Sequence, residues 1–431
     1  MGDTVNSVVE GGLCCGCGTC AGVCPTEAIV MNMTSRIFVP SISLDKCIHC
    51  GLCVRSCPGH SVDFSSISTQ VFGETPQDLL IGEFQNCYVG YSTNHELRYN
   101  SSSGGLATQL LVFALENDII EGALVTRMKR KNPLQPEAFV ARTVEDILSA
   151  SKSKYSPVAA NVALKEIARE SGRFAVVGLP CHIHGIRKAE EVSTALKKKI
   201  TLHIGLLCSH MVTFAGIYNL LRKLKIEKDL VRKINYRGDG WPGSLSVHLD
   251  HGHYKRVPLT DSWKGYWSLF SSFFFTPMRC TMCPDQTAEL ADISLGDAWL
   301  PEFRSDRTGR SIVICRTKFG QRLLEKAMQF KVVSLKQVNS GKILQSQKAN
   351  LKFKKSDLAQ RLSLLRMFGK ATPRFTPAPH GKISLFSFLR NLFVCFNVYV
   401  ANKAFFKSLW VNLPFPLFRL YYGIYKSLSF V

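Results

Sequence analysis

The sequence predicts a small cysteine-rich α+β module, a larger α/β domain with a mixed or parallel sheet, and a basic helical C-terminal tail. Eight of the 16 cysteines fall between Cys14 and Cys57, in two copies of one spacing. From residue 86 onward short apolar strands alternate with helical segments, and no Asp or Glu follows Asp357. The predicted units are 1–65 (cysteine-rich module), 66–85 (linker), 86–335 (α/β domain), 336–380 (basic connector) and 381–431 (basic apolar helical tail).

The two cysteine copies share the pattern C-x2-C-x2-C-x3-C-P. This is the spacing of bacterial ferredoxins, in which three thiolates on a tight loop bind one 4Fe-4S cluster and the fourth binds its neighbour. The two predicted ligand sets are Cys14, Cys17, Cys20 and Cys57 for cluster one, and Cys47, Cys50, Cys53 and Cys24 for cluster two. Zinc sites usually use two separated C-x2-C pairs, so a ferredoxin module is favoured over zinc or disulfides. Cys15 has no place in the pattern and is interpreted as a spectator.

Charge and cysteine usage restrict the location of the protein. The leader before Cys14 has no charged segment followed by an apolar one, which predicts a cytoplasmic protein with metal-bound rather than disulfide-bonded cysteines. Almost half of the net charge of +22 comes from ten basic residues between Leu358 and Val431, a stretch without Asp or Glu. Because no recognisable base-reading motif accompanies that charge, nucleic acid is not an expected partner.

A serine and glycine loop, Ser101-Ser102-Ser103-Gly104-Gly105, separates a predicted strand at Asn86–Tyr91 from an apolar helix beginning at Leu106. Unpaired backbone N–H groups at a helix start favour anions, so the loop is a candidate phosphate site. The alternative is that Ser103 only caps the helix. The loop matches neither a Walker A nor a dinucleotide-binding motif, and neither occurs elsewhere in the chain.

A second set of cysteines lies outside the ferredoxin module. Two predicted strands, Phe174–Leu179 and Thr201–Leu207, are followed by Cys181 and Cys208. If these strands are parallel neighbours, both thiols lie at the carboxyl edge of the sheet, where α/β proteins bind ligands. With Cys280 and Cys283 they could bind a third cluster, although half of a zinc site or a buried thiol pair remains an alternative. The other cysteines, Cys87, Cys315 and Cys395, are expected in the core.

Several short motifs resemble those of the coenzyme F-420 hydrogenase/dehydrogenase beta-subunit family. They are Ser101–Gly105, Ser153-Lys154-Tyr155, Gly178-Leu179-Pro180-Cys181, Gly205-Leu206-Leu207-Cys208, Cys280-x2-Cys283-x-Asp285 and Ala291–Trp299. The resemblance implies an iron-sulfur flavoprotein with FAD in the α/β domain beside a 4Fe-4S cluster on Cys181, Cys208, Cys280 and Cys283. It also implies FAD phosphate contacts from the loop of Ser101, Ser102, Ser103, Gly104 and Gly105, and weaker ones from Lys154 and Asp297.

The implied function is an oxidoreductase that exchanges electrons between the clusters, FAD and a small organic or deazaflavin-type acceptor. Clusters pass single electrons, whereas a flavin can deliver two together as hydride. The expected partners are a ferredoxin-like or other redox protein and a small-molecule acceptor. An electron-transfer subunit that docks a catalytic partner is the alternative. His182, at a position where many relatives have an amide side chain, is a weak catalytic candidate.

The tail combines many Phe, Leu and Tyr residues with six of the ten basic residues that lie between Leu358 and Val431. Its longest uncharged window, Asn391–Asn402, is shorter than the roughly 20 residues that span a bilayer. Two interpretations remain open. The tail lies on an anionic membrane at the inner face of the cell, or it forms a helical layer that covers the sheet or a partner.

Overall fold

The computed structural model describes residues 4–381 and 384–400, together with 414, 416, 417, 419–421 and 423. The described strands, in chain order, are β1 Ile29–Met33, β2 Phe38–Ile42, β3 Ser61–Asp63, β4 Asn86–Ser92, β5 Gly122–Met128, β6 Pro136–Ala141, β7 Phe174–Gly178, β8 Ile200–Leu206, β9 Val231–Asn235, β10 Ser244–Leu249, β11 Tyr254–Pro258, β12 Ile293–Asp297, β13 Ser311–Cys315, β14 Val333–Val338 and β15 Arg374–Thr376.

The described α-helices are α1 Asn6–Glu10, α2 Thr19–Gly22, α3 Leu52–Arg55, α4 Phe64–Phe72, α5 His95–Asn100, α6 Leu106–Glu116, α7 Val144–Ser149, α8 Leu164–Arg169, α9 Pro180–Val192, α10 Thr194–Lys199, α11 Phe214–Lys223, α12 Tyr266–Phe270, α13 Met278–Thr281, α14 Lys318–Gln329, α15 Ser340–Leu351, α16 Leu358–Met367 and α17 Leu385–Val400. A π-helical turn, Lys352–Ser356, joins α15 to α16. Among these residues no helix combines the length and the apolar character needed to span a bilayer.

The N-terminal module has the internal symmetry that its doubled spacing predicts. The strands β1 and β2 pair antiparallel, with Ile29 opposite Ile42. Each cysteine loop is followed by a short helix, and the residue before each helix is a left-handed glycine, Gly18 (φ 83°) or Gly51 (φ 72°). Glycine adopts this backbone conformation without the steric cost of a Cβ, so both loops can turn tightly.

The larger domain contains an eight-stranded mixed sheet with the order β14-β4-β13-β12-β8-β7-β5-β6. The strands β5, β7, β8 and β12 are parallel neighbours. β13 pairs antiparallel with both β12 and β4, so β4 runs in the same direction as β12. The predicted fold class and the predicted parallel pairing of β7 with β8 are therefore confirmed. Five strands (β4, β5, β7, β8 and β12) end at one edge of the sheet.

Helices cover both faces of this sheet, as its apolar strands require. On one face, Phe113 of α6 and Leu323 of α14 pack with sheet residues such as Ile204. On the other face, Ile167 of α8 and Ile186 of α9 pack against residues that include Val176. A smaller antiparallel sheet of β9, β10 and β11 has a separate core with α11 and α12. Because helices cover both faces of the strands, the loops that follow the strands are accessible only at the edge of the sheet.

Buried charges connect the segments that carry the second set of cysteines. The His203 ring in β8 lies 2.7 Å from Glu190 of α9 and 2.9 Å from Asp292, which precedes β12. Although burial and the nearby Arg187 oppose protonation, the two carboxylates raise the pKa of His203 above its usual value. Both ring nitrogens face carboxylates, so a protonated His203 ties α9, β8 and the start of β12 together.

Two segments differ from the sequence-based expectation. Helix α4 occupies the beginning of the predicted linker, and residues 333–338 form edge strand β14 rather than the start of a helix. The alternation of Val333, Ser334 and Leu335 is a strand pattern that the surrounding lysines concealed. After α16, strand β15 returns to the N-terminal module and pairs in parallel with β3. The stretch 336–380 thus belongs to the folded body.

Helix α17 forms a layer over α16. Arg390 pairs with Asp357 at 2.6 Å, and Asn391 accepts a hydrogen bond from Arg361 at 2.9 Å. Arg361 and Arg390 are both buried, so two of the ten basic residues between Leu358 and Val431 pack inside the protein and do not face solvent. The opposite face of α17 is exposed and apolar and includes Leu385, Phe386, Phe396 and Tyr399. The prediction for the tail otherwise falls mostly on residues outside those described.

Candidate iron-sulfur and flavin site

The structure brings the four cysteines predicted for cluster one together. Burial raises the pKa of Cys14 to about 12 and also raises the pKa of Cys20, and the neighbouring Cys57 raises both further. A hydrogen bond with Cys15 and burial raise the pKa of Cys17, to which Cys57 also contributes. Ligation of a metal cluster deprotonates such thiols, so a buried set of this kind suits a cluster.

The cluster-two set lies nearer to the surface. Cys50 is exposed and Cys24, Cys47 and Cys53 are partly exposed, whereas Cys17, Cys20 and Cys57 are buried. Burial raises the pKa of Cys53, and the neighbouring Cys50 raises it further. The two sets are adjacent, because Cys53 also raises the pKa of Cys20. One end of the module therefore faces solvent and the other faces the α/β domain.

The second cysteine set assembles at the shared edge of the eight-stranded sheet. Cys181 lies in the first turn of α9 after β7, and Cys208 follows β8. Cys280 is in α13, three residues before Cys283. Burial raises the pKa of Cys208 to about 12, and the neighbouring Cys280 and Cys283 raise it further. Cys208 in turn raises the pKa of Cys181.

In the described residues, no three His, Cys, Asp or Glu side chains converge on a point the size of a single ion. A cubane holds its four thiolates apart around a cluster of atoms. Four cysteine thiolates are the donor set of one 4Fe-4S cluster, and the cluster-one set and the second set each supply four cysteines.

Cys15 occupies the junction between the two modules. Cys15 lies beside both Cys17 and Cys181, and its interactions with these two side chains lower the pKa of Cys15. The interpretation of Cys15 as a spectator stays a prediction, although this position places its side chain between the cluster-one set and the second set. Sequence spacing could not reveal the contact, because it depends on how the modules dock.

Hydrogen bonds on either side of Cys15 hold the junction rigidly. Asn161 Nδ2 donates to Thr19 Oγ1 at 2.8 Å and to the His182 carbonyl at 2.9 Å. Lys188 of α9 donates to the Cys57 carbonyl at 3.0 Å. A Cβ on Gly185 would lie 2.1 Å from Thr19 Oγ1, so α9 and the ferredoxin module approach as closely as a glycine permits.

The serine and glycine loop lies at the same edge, after β4. Its side chains hold the loop in place: Ser103 Oγ donates to the Arg310 carbonyl at 2.8 Å, and Ser102 Oγ accepts from Ser153 N at 2.8 Å. In the described part of the chain, the backbone N–H groups of Ser102, Ser103 and Gly105 have no hydrogen-bond acceptor. Unpaired N–H groups at the start of the 11-residue helix α6 can bind an anion.

The two weaker phosphate candidates have other partners. Lys154 Nζ donates to the carbonyls of Ser151 (2.7 Å) and Lys152 (2.9 Å), and burial lowers the pKa of Lys154 to about 7. Asp297, at the end of β12, accepts two hydrogen bonds from Arg237, at 2.7 and 2.8 Å. Trp241 Nε1 also donates to Asp297 at 2.7 Å. Lys154 and Asp297 therefore hold neighbouring loops in place at this edge of the sheet.

The two histidines of α9 are engaged locally. His182 Nδ1 accepts from Leu179 N at 3.2 Å, and Nε2 lies 3.2 Å from the Val158 carbonyl. Burial lowers the pKa of His182, which favours the neutral ring. His184 lies 2.8 Å from Asp285. Asp285 accepts from the backbone N–H groups of Thr287 and Glu289, and so orders the loop that follows Cys283.

Sequence reasoning missed Arg237, which is buried against Asp297 and donates to Tyr155 Oη at 3.1 Å. Tyr155 stacks on Tyr266, with ring centroids 4.6 Å apart. Trp241 and Trp299 lie 4.6 Å apart nearby. The signal in the sequence is the glycine-rich turn from Arg237 to Gly243. Its arginine and tryptophan form an aromatic, charge-paired wall at the end of β12.

Comparisons with known proteins identify the family of this chain. Residues 13–61 match the 4Fe-4S dicluster domain, which places the chain among iron-sulfur electron-transfer proteins. Residues 87–165 and 171–341 match the N-terminal and C-terminal regions of the coenzyme F420 hydrogenase/dehydrogenase beta subunit. The chain belongs to this beta-subunit family, as its motifs predicted.

Three relatives illustrate the family. The chain is 29% identical over 270 residues to the coenzyme F420 hydrogenase subunit beta of Methanothermobacter thermautotrophicus, covering 61% of this chain and 88% of that one. It is 28% identical over 337 residues to the coenzyme F420-dependent sulfite reductase of Methanocaldococcus jannaschii, covering 74% of this chain and only 46% of that protein. A chain of the F420-reducing [NiFe] hydrogenase complex from Methanosarcina barkeri superposes with a TM-score of 0.54 at 25% identity, and the match covers 69% of this chain and 97% of that chain.

Proposed function

We propose that this protein is an iron-sulfur flavoprotein oxidoreductase with three 4Fe-4S clusters and one FAD, which reduces or oxidises a small organic or deazaflavin-type acceptor. The observation that carries the proposal is the shared sheet edge. Strands β4, β7, β8 and β12 end there and bring the serine and glycine loop, Cys181, Cys208 and Asp297 to one side of the domain. Ligand sites of open α/β sheets lie at this edge.

The residues present fit the proposed groups. Cys181, Cys208, Cys280 and Cys283 supply four thiolate donors, which is the complement of one 4Fe-4S cluster. The free N–H groups of Ser102, Ser103 and Gly105 suit a diphosphate such as that of FAD. When bound, a flavin would exchange single electrons with clusters and hydride with an organic acceptor.

The docking of the modules supports an order for the relay. The solvent-facing Cys50 belongs to the cluster-two set, and Cys53 of that set neighbours Cys20 of the cluster-one set. Cys15 then connects Cys17 to Cys181. We infer that an external redox protein meets the cluster-two end and that electrons cross the Cys15 junction to reach the sheet edge.

The test is anaerobic purification of the full chain followed by iron, sulfide and flavin assays. About twelve irons and one FAD per chain are expected. About eight irons would remove the third cluster, and absence of flavin would remove the proposed mechanism. A Cys87→Ala variant is the matched control for cysteine substitutions, because Cys87 is buried in β4 on the same sheet and has no assigned ligand role.

A second candidate is an electron-transfer subunit without a substrate of its own. The structural relative from Methanosarcina barkeri is part of a hydrogenase complex, and the exposed apolar face of α17 could dock such a partner. Turnover of coenzyme F420, nicotinamide or another organic acceptor by the isolated, reduced chain decides between the two. Turnover supports the enzyme, whereas cluster reduction without turnover supports the subunit.

The proposed location is cytoplasmic, with the tail at the inner face of the membrane. Exposed Leu385, Phe386 and Phe396 on α17 would insert beside the basic residues of the tail. Flotation with anionic vesicles should recover the wild-type chain and lose a Phe386→Ser/Phe396→Ser variant. Equal recovery with neutral vesicles, or no recovery, would leave α17 as a protein-binding or covering layer.

A further inference from the structure

A buried lysine, Lys354, lies next to the second cysteine set. Lys354 lies in the π-helical turn Lys352–Ser356, beyond the region at 171–341 that matches the family. A π-helical turn carries one extra residue and often marks a functional position. Here Phe353 and Lys354 are consecutive in the chain and both turn inward, with Lys354 only 2% exposed.

Contacts on both sides hold this turn against the cysteine-bearing loops. The Phe353 ring packs 5.1 Å from Phe273, and Lys355 pairs with Glu289 at 2.5 Å. Arg361 donates to the Phe353 carbonyl at 2.8 Å and to the Thr281 carbonyl, between Cys280 and Cys283, at 2.5 Å. The backbone of residues 353–361 is thereby fixed over the segment that carries these two cysteines.

Lys354 forms no ion pair in the part of the chain that the structure describes. Across residues 4–381 and 384–400, its ammonium has neither a hydrogen-bond acceptor nor a carboxylate within ion-pairing distance. Its positive charge favours the thiolate forms of Cys208 and Cys280 and opposes protonation of His210. Burying an unpaired charge is costly, so the site is suited to a group of negative charge.

We propose that Lys354 is a positioning residue for electron transfer: its ammonium is the counter-charge of the third cluster and raises the reduction potential of that cluster. The inference rests on the proposed cluster at Cys181, Cys208, Cys280 and Cys283. Reduction adds one negative charge to a cluster whose thiolates already make it anionic. A fixed cation nearby stabilises the reduced form more than the oxidised form, because the Coulomb attraction grows with the charge.

The test is an anaerobic redox titration of the full chain, followed by electron paramagnetic resonance, in wild type and in Lys354→Met, Lys354→Gln and Lys354→Arg. The signal of the third cluster is assigned by its loss in Cys208→Ala. In the Met and Gln variants we expect the reduction equilibrium of that cluster to become about tenfold less favourable, which is about 59 mV for one electron. The Arg variant should keep the wild-type potential, since it keeps the charge.

Lys348→Met is the matched control, because this substitution removes the same charge from an exposed lysine of α15. Lys348→Met should leave the reduction potentials of all three clusters unchanged. Every Lys354 variant should leave the reduction potentials of the two ferredoxin clusters unchanged. Loss of the third cluster in both neutral variants, with retention in Lys354→Arg, would also support a charge requirement. Loss in all three variants would overturn the proposal in favour of a packing role.

The outcomes separate this inference from the proposed function. About eight irons in the wild type would overturn both. About twelve irons in wild type and Lys354→Met, together with an unchanged potential in the Met and Gln variants, would overturn only the role of Lys354.

Discussion

The two cysteine sets of this protein are encoded in different ways. The ferredoxin set lies within one short stretch, Cys14 to Cys57, whose spacing alone positions its thiols. The sheet-edge set takes Cys181, Cys208 and the Cys280–Cys283 pair from three separate loops, which meet only because β7 and β8 are parallel neighbours. A locally encoded site depends on its loop, whereas a site built by topology depends on the whole sheet.

The two sets also differ in their surroundings. The ferredoxin set runs from buried Cys17 to exposed Cys50, so one end can meet an external partner. The sheet-edge set lies against the π-helical turn and α16, because Arg361 donates to the Thr281 carbonyl and Lys354 favours the thiolate forms of Cys208 and Cys280. A solvent-exposed end suits electron entry, while a fixed charge beside a cluster suits control of its potential.

The largest expected effect comes from removing a ligand of the topology-built site. Cys208→Ala should lose about four irons per chain and abolish acceptor turnover, while the two ferredoxin signals remain. Iron assays and paramagnetic resonance measure this. Cys87→Ala should keep the full iron content; if Cys208→Ala also keeps it, the sheet edge does not bind a cluster.

The dependence of that site on the sheet can be tested at His203. His203→Gln removes one buried cation from Glu190 and Asp292 while Arg187 stays paired with both, so it should lower the free energy of unfolding by about 1.5–3 kcal/mol. In urea titrations the third cluster should therefore be lost at lower urea in the variant than in the wild type. An unchanged urea midpoint would mean that the buried charges around His203 do not stabilise the sheet edge that carries the cysteines.

The same residue predicts a pH dependence. The folded pKa of His203 is raised, so its contribution is fully present below the unfolded value of about 6.5 and is lost as the pH rises through the higher folded value. The stability difference between wild type and His203→Gln should shrink between neutral and alkaline pH. Urea midpoints across this range measure it, and a difference that grows with pH would contradict the assignment.

A smaller effect is expected at the junction. Gly185→Ala forces a Cβ into Thr19 and should cost about 1–3 kcal/mol, with local separation of α9 from the ferredoxin module. Rapid-mixing experiments should show slower electron transfer to the sheet edge at unchanged iron content. Gly341→Ala, in the first turn of α15, is the control and should cost less, because its Cβ would approach only the Asn339 side chain, at 3.1 Å rather than 2.1 Å.

Local patterns predicted much of this architecture. The cysteine spacing identified the ferredoxin module, and the short apolar runs before Cys181 and Cys208 identified two strands that prove to be parallel. These features are predictable because their determinants lie within a few residues. The ligand roles of the sheet-edge cysteines and of the serine and glycine loop stay predictions.

Features that depend on docking and register were not predictable. Strand β14 was hidden among lysines, and its pairing with β4 is a long-range property. The inward direction of Lys354 depends on the extra residue of a π-helical turn. The contacts of Cys15 depend on the position of α9 against another module. The pairing of β14, the inward direction of Lys354 and the contacts of Cys15 are all long-range properties that neighbouring residues in the sequence do not determine.

The parallel pairing of β3 with β15 has a consequence for biosynthesis. Residues 374–376 leave the ribosome long after β3, the strand with which they pair. The N-terminal module therefore lacks this pairing partner during most of translation. Its fold is completed only when nearly the whole chain has been made, so folding of the first module depends on synthesis of one of the last segments.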